Sequence, residues 1–64
     1  KMMTYSINQI VRGKVAGVFV IVGTHPERPG IPAGYAVKAV NPANLSETAP
    51  GEMLFTADML RPYA

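Results

Sequence analysis

Residues 15–22 read Val-Ala-Gly-Val-Phe-Val-Ile-Val, and this stretch decides the class of fold. Val15, Val18, Val20, Ile21 and Val22 are β-branched, which favours an extended strand over a helix. Along a strand Val18, Val20 and Val22 share one face, and Phe19 and Ile21 share the other. Both faces are apolar. Such a strand normally lies between helices in a parallel sheet, but a chain of 64 residues has no room for a helical layer. One face must therefore meet the core and the other a second sheet or a second subunit. Val18, Phe19, Val20 and Ile21 are the candidates for self-association.

Six prolines and six glycines cut the flanking sequence into short pieces, as a set of short strands requires. Upstream, residues 5–14 carry Ile7, Ile10 and Val11 before Gly13 breaks the run, giving a first strand. Downstream, residues 23–34 hold Pro26, Pro29 and Pro32, which fix φ and remove donors, so a stiff, extended loop is expected. Residues 34–40 alternate as a third strand, with Tyr35, Val37 and Ala39 on one face and Ala36, Lys38 and Val40 on the other. Asn41-Pro42 opens a second polar loop, expected to run over residues 41–51. Residues 52–55 form a fourth strand. Thr56 is a candidate N-cap, with Asp58 in the first turn of a single 3₁₀ turn. Residues 61–63 complete the pattern as a short edge strand, the position that tolerates Pro62. The order predicts an all-β, small five-stranded barrel with one 3₁₀ turn before the last strand, because closure removes exposed strand edges.

One domain is expected over residues 4–64. Residues 1–3 are set aside as a disordered or extraneous start, since Met2 or Met3 can serve as the native first residue. With no cysteine there is neither a disulfide framework nor a thiolate metal site. A core this small is marginal unless it is packed well or self-associates. The net charge of +2 comes from Lys1, Arg12, Lys14, Arg28, Lys38 and Arg61 against four acids, and the cations are scattered along the sequence. A nucleic-acid footprint usually clusters its cations. The longest apolar run, residues 15–23, is less than half of a membrane helix, and no signal-peptide pattern precedes it. A cytoplasmic protein with no membrane partner is the expectation.

The chemistry-bearing residues are few. His25 is the single histidine and sits in the proline-rich segment. As a general base it needs an orienting carboxylate, with Glu27 the nearest, and a nucleophile. An exposed loop histidine is the simpler reading. Glu27, Glu47, Glu52 and Asp58 show no paired-carboxylate spacing, and there is no metal motif, phosphate-binding loop or nucleophile elbow. No catalytic, cofactor or metal site is predicted. Asn44-Leu45-Ser46 fits a glycosylation sequon by chance, and the Pro-x-x-Pro series at 26, 29 and 32 reads as a loop stiffener before it reads as a ligand for an SH3 or WW domain. Phe19 and Phe55 are core candidates; Tyr5, Tyr35 and Tyr63 either line a groove or bury their rings with the hydroxyls exposed.

Ile10-Val11-Arg12, the Ala16-Gly17 step, Gly34-Tyr35-Ala36-Val37 and the ending Ala57-Asp58-Met59-Leu60-Arg61-Pro62-Tyr63 together resemble the SH3-like small-barrel superfamily. Within it, Val11-Arg12, Val22-Gly23, the run Pro32-Ala33-Gly34-Tyr35-Ala36-Val37 and Pro50-Gly51 are most similar to the plasmid-borne, trimethoprim-resistant (type II) dihydrofolate reductases. That resemblance implies a tetramer around a central pore, and a source on a plasmid or phage. The family's Val-Gln-Ile-Tyr motif falls on Glu52-Met53-Leu54-Phe55, so that its glutamine and tyrosine positions correspond, to within one place, to Leu54 and Phe55. Neither side chain can make the polar contacts, and the activity is not carried over; Lys14 matches the family's anion-steering lysine. Arg12-Gly13-Lys14 and Ala16-Gly17 also resemble the opening of KOW-type barrels, which bind RNA or ribosomal and polymerase partners. Three readings follow: a non-enzymatic, self-associating binding or scaffolding module; an RNA- or DNA-binding barrel using Arg12, Lys14, Tyr35 and Lys38; and a pore-type reductase whose site is shared between subunits.

Overall fold

A computed structural model describes residues 4–64; residues 1–3, and with them the expectation of a disordered start, lie outside the described part. The chain is all-β. Six strands, β1 (Ile10–Gly13), β2 (Val18–His25), β3 (Gly34–Asn41), β4 (Asn44–Thr48), β5 (Met53–Phe55) and β6 (Leu60–Pro62), form one antiparallel sheet, with a 3₁₀ turn (Ala57–Met59) before β6. The sheet runs β4-β3-β2-β1-β6, and β5 also pairs with β3. The first half of β3 takes β5 (Tyr35 opposite Phe55, Val37 opposite Met53) and its end takes β4 (Val40 opposite Thr48). The expected count of five strands is therefore corrected to six, and the sheet does not close: among the described residues β5 and β6 are not paired.

The extra strand is β4, which occupies the expected polar loop. Asn41 and Asn44 face each other across a tight turn, with the Ala43 N–H on Asn41 Oδ1 at 2.9 Å and Asn41 Nδ2 on Glu47 Oε1 at 2.7 Å. Side-chain amides here supply the partners that a tight turn leaves to find. The other loop is shorter than expected, because β2 continues through Gly23, Thr24 and His25 opposite Ala36, Tyr35 and Gly34. Val22 is the extra residue of a bulge between Ile21 and Gly23. Beyond it Arg28 and Ile31 exchange two backbone hydrogen bonds of 2.8 and 2.9 Å around Pro29-Gly30. Proline followed by a glycine at φ 76° is what a type II turn requires, so the prolines make a turn as well as an extended segment. At the start, residues 6–9 form a turn closed by Gln9 N–H on Ser6 O at 3.0 Å, and β1 begins only at Ile10.

The expected 3₁₀ turn is present with Thr56 at its N-cap position, but the Thr56 side chain makes no capping hydrogen bond. Its hydroxyl hydrogen-bonds the Asp58 carboxylate, and the turn is tied down by Met59 N–H on Thr56 O and Leu60 N–H on Ala57 O. Leu60 is thereby delivered into the core.

That core is Tyr5, Val11, Phe19, Ile21, Val37 and Leu60, with Tyr35, Ala39 and Phe55 packed against it. The registers explain the set: Val11 faces Phe19, Phe19 faces Ala39, and Ile21 faces Val37. Phe19 and Phe55 meet edge to face at 5.0 Å, as do Tyr5 and Tyr35 at 5.5 Å. Gly13 is required where the β1–β2 turn folds back, since a Cβ there would strike the Ala16 carbonyl. Val18 and Val40 are also buried, but outside this cluster.

Candidate functional site

Alternation along the strands sorts the remaining residues onto the sheet's other face. Arg61, Arg12 and Val18 stand in one cross-strand row, and Ile10, Val20 and Lys38 in the next. Ala36 and Leu54 are directly opposite each other on β3 and β5, on this same outer face. Of the expected partner-binding residues, Arg12 and Lys38 are therefore brought to one surface. Lys14 lies beyond the end of β1, in the turn to β2, and its N–H bonds Met59 O at 2.8 Å. Tyr35 is on the inner face, where its ring packs on Tyr5 and its hydroxyl accepts the Tyr5 N–H at 3.1 Å. The four do not form one patch.

Among the self-association candidates, Phe19 and Ile21 are consumed by the chain's own core and Val18 is buried as well. Val20 alone is partly exposed, on the outer face. Those three offer no surface to a second copy, because β1 and β3 already cover them with Val11, Val37 and Ala39 or bury them beside their own strands.

The β5 edge is more apolar, and Leu54 extends it onto the outer face. Two shallow clefts meet at Phe55. One, of about 310 Å³, lies between the β1–β2 turn and the 3₁₀ turn and is bordered by Lys14, Val15, Asp58 and Met59. The other, of about 180 Å³, is bordered by His25, Ile31, Pro32 and Leu54. Val15 is 99% exposed and Leu54 59%, and Ile31, Met53 and Met59 are exposed too. Among the exposed large apolar residues described, Ile7 and Met53 border neither cleft. The stripe follows β5, whose second edge pairs with no described strand. Sequence reading missed it because Val15, Ile31, Leu54 and Met59 are isolated in sequence and meet only through the fold.

His25 is half-buried at the end of β2 and not in a loop. It borders the Leu54 cleft and also a cleft of about 270 Å³ with Thr4, Thr24 and Tyr35, and its Nε2 is buried without a hydrogen-bond partner among the described residues. No bond to Glu27 orients it among the described residues, and no cluster of three His, Cys, Asp or Glu there could hold a metal. The reductase positions diverge in space: Leu54 points outward, and Phe55 is half-buried against Phe19. Burial, with Tyr35 adding to it, pushes the Tyr5 phenol above its ordinary range. No helix among the described residues is long and apolar enough to cross a membrane. No protein-family model, curated protein or solved structure compared with this chain matches it.

Proposed function

We propose that this chain is a small, non-enzymatic binding module of the SH3-like barrel kind that works as a self-associated unit. The barrel reading is supported by the meander β1-β2-β3 and by a 3₁₀ turn that returns the chain as β6 beside β1. The non-enzymatic reading is supported by Leu54 and Phe55, apolar at the positions where the pore-type reductases use glutamine and tyrosine.

The observation that carries self-association is the stripe of Val15, Met59, Phe55, Leu54 and Ile31 along an unpaired strand edge. Exposed, contiguous apolar surface of this kind marks an interface, and an open edge adds unpaired backbone groups beside it. The outer face is the poorer choice. A two-fold contact there would gather six cations, Arg12, Arg61 and Lys38 of each copy, in one interface.

Light scattering behind size-exclusion chromatography, across protein concentration, tests this. The wild type is expected as a dimer or larger, and Leu54→Asp as a monomer with an unchanged circular-dichroism spectrum. A wild-type monomer at every concentration would remove the proposal. Binding of a pterin and a nicotinamide cofactor in a titration would replace it with the shared-pore reductase.

A further inference from the structure

The outer face has one feature that fold stability does not call for. Arg12 and Arg61 are directly opposite each other on β1 and β6. Like charges in that position repel and destabilise a sheet pair. Arg12 is nevertheless held in place: its guanidinium lies 4.6 Å over the Tyr63 ring centroid and its Nε donates to Tyr63 O at 2.9 Å. That arrangement uses the inner edge of the guanidinium and leaves its two terminal amino groups with no partner among the described residues. Arg61 is exposed and likewise makes no side-chain hydrogen bond among them. Two such forks side by side form an anion cradle, since each can offer two parallel donors to one phosphate.

The cradle does not stand alone. Lys38 lies on the same face, two strands from Arg12 and one row along, roughly 12 Å away by strand spacing and rise. Between them the accessible floor is aliphatic: Ile10 and Val20, both half-buried, beside the buried Val18. β5 begins at Met53 opposite Val37, with the acid Glu52 just before it. Three cations on an apolar, gently twisted floor fit a strand that alternates phosphates with apolar ring faces. We infer that the outer face binds single-stranded nucleic acid, with one phosphate held between Arg12 and Arg61, a second a few nucleotides along on Lys38, and the intervening bases lying on Ile10 and Val20. A duplex would hide those bases from the floor, and a purely acidic segment such as oligoglutamate has no apolar faces to lay on it. The Arg12–Arg61 cradle lies on β1 and β6, across β2 and β3 from β5, whereas Leu54 of the apolar stripe shares the outer face with Lys38; the cradle is the part of this site that is independent of self-association.

Fluorescence anisotropy with a labelled oligothymidylate of about a dozen nucleotides tests it on the full chain. Two phosphate contacts predict an affinity that falls about sevenfold between about 50 and about 200 mM salt, a log–log slope near about −1.4. Arg61→Gln and Lys38→Gln, both at solvent-facing positions, should each reduce that slope by about 0.7. Lys14→Gln, off this face, should leave it unchanged, and so should Leu54→Gln on the apolar stripe. No binding at the lowest salt would overturn the inference. So would a slope that Arg61→Gln leaves intact, an equal effect from Lys14→Gln, or equal affinity for a duplex or for oligoglutamate. Circular dichroism of each variant separates lost binding from lost folding.

Discussion

The two faces of β2 and β3 are built from neighbouring residues and behave in opposite ways. Phe19, Ile21 and Val37 look inward and are buried, Ile21 and Val37 completely. Val20, Val22 and Lys38, one residue away along the same strands, look outward and are only half-buried. Hydrophobicity does not separate the two sets, since Val20 and Val22 are as apolar as Val37. The neighbours do. On the inner face β1 contributes Val11 and β6 contributes Leu60; on the outer face the same two strands contribute Arg12 and Arg61. A strand that is apolar on both sides takes its inside from the strands that pair with it.

The comparison can be broken from either side. Ile21→Ala should cost about 2–5 kcal/mol, enough to unfold much of so small a domain, whereas Val20→Ala should cost about 1 kcal/mol or less. Urea denaturation of both gives the ratio, and equal losses would mean the faces are misassigned. Gly34→Ala probes the join between β3 and β5, where a Cβ would meet the Phe55 carbonyl and the His25 ring. A loss of about 1–3 kcal/mol is expected, with protection of β5 amides falling before that of β1 in hydrogen exchange.

Tyr5 sharpens the inner face. Its phenol stays protonated in the folded chain above the ordinary value of 10.0, while the unfolded chain releases the proton there. Stability from this group is complete below about pH 10 and is lost as pH rises through the folded value. Its hydroxyl has no hydrogen-bond partner among the described residues. Tyr5→Phe should therefore keep or slightly raise stability at neutral pH, by up to about 1 kcal/mol. It should also flatten the alkaline decline, read as thermal melts between neutral pH and pH 11, a range set by the usual tyrosine value of about 10. The smallest effect belongs to the outer face. Arg61→Glu exchanges a like-charge pair with Arg12 for an opposite one and should gain a few tenths of a kcal/mol at low salt; a loss in chemical denaturation would mean the two guanidinium groups do not sense each other.

Much of the strand order was legible in the sequence, for reasons tied to particular residues. Val18 to Val22 and Tyr35 to Val40 carry strong β-branched or alternating patterns, and Thr56 to Leu60 carries a turn signature. β4 was not legible because Asn-Leu-Ser-Glu-Thr is an exposed edge strand with one half-buried apolar residue, Leu45, and so leaves no alternation to read. Gly23, Thr24 and His25 pair through backbone alone, with no apolar pattern to announce them. The surfaces were less legible than the strands. Arg12 and Arg61 are far apart in the chain and become neighbours through the β1–β6 register. Val15 and Met59 come to border one cleft in the same long-range way. Spacing within a segment cannot encode either meeting.

The central claim is that the β5 side, and not the valine-rich outer face, is where copies of this chain meet. Methyl resonances followed by NMR on serial dilution test it most directly. The account predicts that Val15, Ile31, Leu54 and Met59 shift together as the assembly dissociates, while Val20 and Val22 stay in place. Movement of Val20 and Val22 with a silent Leu54 would contradict it.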